Sequence, residues 1–416
     1  MTDRASARPN EGPDDGPTGG RPNEGPDDGP TGERPNEGAH DGPTGERPNG
    51  AAHDGPTGER ARKPTRRDVA RLAGVSDAVV SYALNGGAPV APETRRRVLA
   101  AVAELGYRPN QAARALRSGS ARTLVLAVPD REDPVFANPF FAEYAAEIES
   151  AARRRGYALY STATSFEPER IRARFEEFAA RMVDGVLVLS SGGVDGAAID
   201  PVGLPWVDLN VSAARPGVAS VGTDLRAGAE RATRHLLDHG RTRVAFVGQP
   251  DVTEPRHRGW RDACEGRDVP PGRVYDGGYT REGGYVAGLQ IADERDEHVA
   301  RVERDERDER DARDGIAPRS LPDAVFAASD RTAVGLLRAF HERGVRVPED
   351  VAVAAFDGSW EAEYTWPPLT TVRQPIESMA EAAVRRVLDG TAPTHDEFPP
   401  ELVVRASCGR HDTAPQ

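Results

Sequence analysis

Two groups of residues in this sequence have types and spacings that could do chemistry, and in both cases the chemistry is recognition. The first group lies in TRRDVARLAGVSDAVVSYALN, residues 65–85. Thr65 suits the N-cap of a helix starting at Arg66, and Asp68 suits the positive end of that helix's dipole. Val69, Ala70, Leu72 and Ala73 supply an apolar face, and Gly74 allows a turn. Ser76 then caps a second helix over 77–84, with Val79, Val80 and Ala83 available for packing. Two short helices across a tight glycine turn form a helix-turn-helix, whose second helix enters the major groove of DNA. A third helix is expected from Pro92 to about Leu105, carrying Arg95, Arg96 and Arg97. The second group consists of polar residues that follow short apolar runs: Asp130, Asn210, Asp330 and Asp357. In open parallel sheets, ligands bind beyond the carboxyl ends of the strands.

Bond-making chemistry has no comparable signal. The chain contains no GxSxG, P-loop, GxGxxG or HExxH, and its nine histidines show no metal spacing. No catalytic residue, cofactor or metal is therefore expected. Cys264 and Cys408 are far apart and read as ordinary reduced thiols.

The elements that must position the second group alternate between strand and helix. TLVLAVP (123–129), GVLVLS (185–190), PWVDLN (205–210), RVAFVG (243–248), AVFAAS (324–329) and VAVAAFD (351–357) are short apolar runs of the kind buried on both faces of a parallel sheet. Between the first two, Phe141, Tyr144, Ala145, Ile148 and Ala152 recur at helical spacing, with Gly156 closing the helix. The alternation implies one open parallel sheet or two.

Charge separates the two groups. The 416 residues carry a formal net charge of −13, yet residues 60–119 hold twelve Lys or Arg against four Asp or Glu, a net of +8. A compact basic module on an acidic body points to a local anionic partner, nucleic acid first. No run of some eighteen apolar residues exists, and the N-terminus has no apolar signal region, so a cytoplasmic protein without membrane contact is expected. Residues 8–59 are four copies of a 13-residue unit beginning RPNEGPDDGPTGG. The units lack Leu, Ile, Val and aromatics, so nothing offsets the entropy of ordering and a disordered tail over 1–60 is expected. A charged segment over 292–320, including ERDEHVARVERDERDERDARDG, reads as a surface insertion whose opposite charges sit three and four apart.

The segment 65–119 resembles the headpiece of the lac repressor (LacI/GalR) family. The residues that carry the resemblance are DVARLAGVS, VVSYALN and VAPETRRRVLAAVAELGYRPNQAARALRSG. Gly106, Tyr107, Pro109, Asn110, Ala113 and Leu116 stand where the family has its hinge helix. The resemblance implies that Asp77, Ala78 and Tyr82 face base edges and that Ser76, Ser81 and Asn85 position the backbone, with Thr65, Asn110 and Ala113 in the DNA-facing set. Leu116 would wedge a minor-groove step, paired with its copy from a second subunit. Val79 stands where the family commonly has Thr, and Tyr82 where it often has Arg, which removes a guanine reader. From about Arg122 to Arg405 the chain resembles the family's two-lobed, periplasmic-binding-protein-like sensor, through NPFFAE, GTDLRAGA, VFAASD, RVPEDVAVAAFD and PPLTTVRQP.

The resemblance implies an effector cleft in which Phe140 is a stacking wall, Arg256 a charged donor, Tyr279 a cover and Asp357 a bidentate acceptor. Ser329, Asp330 and Gln374 are further candidates. Ser329 replaces the commoner Asn, and Leu225 stands where Asn is usual. The expected architecture is thus a small all-α helix-turn-helix headpiece with hinge helix (61–119) and a two-lobed α/β domain of parallel sheets (122–410). The expected function is a homodimeric transcription regulator, a repressor in sign. It would bind a pseudo-palindromic double-stranded DNA operator under control of a small-molecule effector, a carbohydrate or related metabolite. A cytoplasmic sugar-binding protein or sugar-modifying enzyme on the same α/β scaffold is the alternative. A non-specific architectural DNA protein is disfavoured by the acidic body.

Overall fold

Thr65 opens the first helix by giving both its N–H and its Oγ–H to the Asp68 carboxylate, at 2.9 and 2.6 Å. This holds in the computed structural model, which describes residues 63–86, 88–108, 119–131, 134–191, 193–305, 321–390 and 393–409. The chain divides at Pro64/Thr65, and of the first unit only Lys63 and Pro64 are described. The tail over 1–60, residues 109–118 of the hinge segment with Asn110, Ala113 and Leu116, and residues 306–320 lie outside the described residues.

Helix α1 (Arg66–Ala73) ends at Gly74, which takes φ +62°, a conformation that costs glycine little. Helix α2 (Asp77–Asn85) is capped by Ser76, whose Oγ accepts from the Val79 N–H, and it runs one residue past the expected end. Helix α3 (Pro92–Leu105) has Pro at its first turn. The three bury a core of small residues: Val69, Ala70, Ala73, Val80, Ala83, Val98 and Ala101. Leu72, expected on that face, is 46% exposed. At about 100° per residue it falls roughly 100° from the centre of the Val69–Ala70–Ala73 face.

The remainder builds two lobes, each around a six-stranded sheet. The first sheet has the order β11-β5-β4-β3-β1-β2. Its strands are β1 (Thr123–Pro129), β2 (Ala158–Thr164), β3 (Gly185–Val188), β4 (Trp206–Leu209), β5 (Ser220–Thr223) and β11 (His395–Phe398), all paired in parallel. The second has the order β12-β10-β9-β8-β6-β7, from β6 (Val244–Gly248), β7 (Val274–Asp276), β8 (Ala324–Ala327), β9 (Ala352–Asp357), β10 (Thr370–Arg373) and β12 (Glu401–Val403). Only the β10–β12 pairing is antiparallel among the described strands. The six apolar runs seen in the sequence became β1, β3, β4, β6, β8 and β9. They read as unbroken because both faces are covered: along β1, Leu124, Leu126 and Val128 pack on one side, and Val125 and Ala127 on the other.

The first lobe is covered by helices α4 (Pro139–Arg154), α5 (Pro168–Ala180), α6 (Gly196–Ile199) and α12 (Ile376–Asp389). The second is covered by α7 (Leu225–Asp238), α8 (Pro255–Glu265), α9 (Arg281–Asp305), α10 (Asp330–Glu342) and α11 (Glu361–Tyr364). Close packing of α7 on α8 requires Gly259, because a Cβ there would overlap the Arg226 carbonyl oxygen. Leu225 starts α7 inside the second core. The charged insertion does not begin as a loosely packed segment. It continues α9, with Ile291 and Ala292 buried, Asp293 paired with Arg343 at 2.6 Å, and Glu294 accepting from Tyr275 at 2.9 Å.

The chain passes between lobes three times, from β5 to α7, from β10 to α12 and from β11 to β12. A direct contact also joins them: the Trp360 N–H donates to Glu143 Oε1 at 3.1 Å, linking α4 to the residue before α11. Burial and the neighbouring Glu361 push the Glu143 carboxyl up.

Candidate DNA interface and effector cleft

On helix α2, Ala78 and Tyr82 lie one turn apart and both are exposed. Ser81 is half-buried and accepts from Asn85 Nδ2 at 3.4 Å. The Ser76 hydroxyl is committed to its helix cap, and Thr65 to Asp68. Asp77 does not face outward alone. Its carboxylate receives Arg66 side-on, through Nε at 2.7 Å and through Nη2. Arg66 escaped the sequence reading because it sits eleven residues away on another helix.

The second lobe gathers most of the candidate effector residues at one edge of its sheet. Arg256 lies in the first turn of α8 after β6, Tyr279 follows β7, Ser329 and Asp330 follow β8, Asp357 ends β9 and Gln374 follows β10. All are at the carboxyl ends of parallel strands, where the loops leave a crevice. Arg256 donates from Nε to Glu254 Oε1 at 2.7 Å and from Nη1 to the Ala328 carbonyl at 3.1 Å. Its guanidinium lies 4.6 Å from the Tyr279 ring centroid and 5.6 Å from that of Phe356. Burial works against its charge, but Glu254, Tyr279 and Asp357 together outweigh that and hold its pKa above the usual value. Burial raises the Tyr279 hydroxyl to about 12.

Asp357 is buried at φ +117°, a strained conformation for a residue with a side chain. Burial and Asp330 push its carboxyl well above the carboxylate range, against the pull of Arg256 and Gln374. Gln374 Nε2 donates to Asp357 Oδ1 at 3.2 Å, while Gln374 Oε1 is buried with no hydrogen-bond partner among the described residues. That leaves an acceptor suited to a ligand hydroxyl or N–H.

The structure gives the remaining candidates framework duties. Ser329 caps α10, accepting from the Thr332 N–H at 3.1 Å. Asp330 accepts from the Ser359 N–H and hydroxyl at 2.7 and 2.9 Å and from Thr371 Oγ1 at 2.5 Å, tying three segments together. Burial still raises its carboxyl to about 7. Phe140 lies in the other lobe. It is 3% exposed and sits in the first-lobe core, its ring 5.1 Å from Phe141 and 6.1 Å from Tyr144. It follows Asn138 and Pro139 at the start of α4, and the first turn packs inward. Its ring is packed among first-lobe core side chains.

At the facing lobe, Asn210 takes φ +58° and donates to Ser191 at 2.9 Å. Asp208, which the sequence reading missed, is fully buried. It accepts from Ser190 at 2.6 Å and pairs with Arg215. Burial raises it to about 6 despite those two partners. The available signal was a carboxylate inside the apolar run PWVDLN. Glu254 was missed too; as the cap of α8 it left only a local trace.

Comparison with known proteins follows the same division. Residues 65–110 match bacterial regulatory proteins of the lacI family. Residues 122–271 match the periplasmic binding proteins and sugar binding domain of the LacI family, and residues 233–408 match a periplasmic binding protein-like domain. The HTH-type transcriptional regulator CelR of Thermobifida fusca is 33% identical over 362 residues, which is 83% of this chain and 98% of that one. The HTH-type transcriptional repressor PurR of Mannheimia succiniciproducens is 29% identical over 357 residues, covering 82% and 98%. Among solved structures, a complex of the transcriptional regulator CelR with cellobiose superposes with a TM-score of 0.56 at 31% identity, covering 83% of this chain and 99% of that one. The lac repressor dimer bound to operator and the anti-inducer ONPF shares the fold, with a TM-score of 0.68 at 24% identity over 84% and 100%. The chain belongs to the lacI family of bacterial regulatory proteins.

Proposed function

We propose that the protein is a cytoplasmic, homodimeric repressor that binds a pseudo-palindromic operator and responds to a neutral, hydroxyl-rich small molecule. The observation that carries this reading is the pairing, in one chain, of an exposed recognition helix with a cleft edge where Arg256, Tyr279, Asp357 and Gln374 converge. The chain's membership of a family of regulatory proteins supports reading this site as a sensor.

Charge selects the effector class. Two carboxyls, on Glu254 and Asp357, act on one guanidinium, and Glu254 already pairs with it. A phosphate would find the Arg256 guanidinium already engaged by Glu254. Hydroxyl groups instead find acceptors in Asp357 and in Gln374 Oε1, beside the Tyr279 ring.

Dimerisation is supported by an exposed aromatic patch. Trp360, Tyr364 and Trp366 are 55%, 79% and 88% exposed, beside a groove of about 580 Å³ that Val334, Leu337, Arg338 and His341 also line. Aromatic surface of this kind is covered at protein interfaces. We assign it to a second copy, because a two-fold dimer is what presents two headpieces to two half-sites.

The test is operator binding measured against neutral mono- and disaccharides, nucleobases and sugar phosphates in parallel. Release or tightening by a neutral sugar alone supports the reading. A response confined to sugar phosphates would overturn the effector class, and failure to select any DNA sequence would overturn the function.

A further inference from the structure

The Arg66–Asp77 pair bears on how the headpiece reads DNA. Asp77 is the first residue of α2, and it is the N-terminal residues of a recognition helix that meet base edges. A lone carboxylate there would repel phosphate and accept only from the exocyclic amines, cytosine N4 or adenine N6. Here the carboxylate is occupied by a guanidinium from the first residue of α1, and the two side chains remain 33% and 38% exposed.

Side-on pairing uses the Nε–H and one Nη2–H. A guanidinium has five N–H groups, so three are left: two on Nη1 and one on Nη2. Those on the end-on edge form the parallel donor pair that matches O6 and N7 of guanine. The ion pair also removes the orientational freedom that a long side chain must otherwise lose on binding. We propose that Arg66, oriented by Asp77, is a specificity-determining residue that reads a guanine in each half-site. Asp77 is then a positioning residue. Ala78 and Tyr82, on the exposed face of the same helix, complete the reading surface.

This inference rests on the DNA-binding reading above, and the experiment separates the two. The full-length chain and its Arg66→Ala, Arg66→Gln and Asp77→Asn variants are each used to select from a pool of randomised duplex DNA. Expected is a symmetric consensus for the wild type. In both Arg66 variants one guanine per half-site loses its preference, a discrimination of roughly tenfold or more falling close to unity, while other positions persist. Asp77→Asn weakens the same guanine, because an amide no longer cancels the charge or holds both N–H groups. Variants that lose affinity evenly, with the consensus intact and the salt slope reduced by about one, would make Arg66 a phosphate contact and overturn the proposal. Relaxation at a cytosine in Asp77→Asn, with an unchanged Arg66→Ala profile, would overturn it in favour of direct reading by Asp77. A wild type that enriches no sequence would defeat the DNA-binding reading itself.

Discussion

Gln374 donates to Asp357 across the seam where the chain leaves the second lobe: Asp357 ends β9, and Gln374 stands between β10 and the first-lobe helix α12. A ligand that takes the Asp357 carboxylate therefore acts on a residue adjoining one of the three interlobe passages. A ligand shifts an equilibrium only through different affinities for its two states. This contact is one place where such a difference can arise.

Asp357→Ala should abolish the effector response while leaving operator affinity without effector within about twofold. Each hydrogen bond lost between ligand and carboxyl costs about 0.5–1.5 kcal/mol, and no DNA contact is touched. Operator titrations with and without the effector, on wild type and variant, check this. An undiminished response in a folded variant removes Asp357 from the site.

Asp330 should make stability depend on pH. Its carboxyl is raised to about 7 in the folded chain, against about 4 unfolded. It therefore holds its proton more tightly when folded. The stability it contributes is complete below about pH 4 and is lost as pH rises to about 7. Asp330→Asn, which cannot ionise, should flatten that part of the profile, by an amount on the order of 1–4 kcal/mol. Urea unfolding at pH 5 and pH 8 measures it, and parallel slopes in wild type and variant would contradict the assignment.

Trp366→Asp should split the dimer. The side chain is 88% exposed in the single chain, so folding has little reason to suffer. Sedimentation should show monomers at micromolar concentration, and affinity for a full palindrome should drop to near that for a half-site. A variant that remains dimeric would place the interface elsewhere.

Leu116→Ala should weaken specific operator binding by a few kcal/mol if the side chain wedges a base step, and barely alter non-specific binding, which rests on phosphates. Equal losses on both DNAs would exclude the wedge.

The sequence by itself determined what depends on near neighbours. Caps, glycine turns and apolar periodicity are local, so the three headpiece helices and six buried strands were legible within a residue or two. Strands without that contrast were not: β2 carries no buried stripe, and β11 and β12 are only partly buried. The number of sheets, their order and the three passages between lobes depend on which runs pair, and an apolar run pairs equally well with several others. The sites divide in the same way. Residue types at strand ends marked Asp330 and Asp357, but only the fold showed that Asp330 is held by Ser359, from a loop 29 residues away, and by Thr371, from a strand 41 residues away. Only the fold turned Phe140 into the core, buried Asp208 against Arg215 and set Arg66 against Asp77. A side chain's chemistry is written in its type. Whether it is spent on the frame or left for a ligand depends on partners that arrive from other elements.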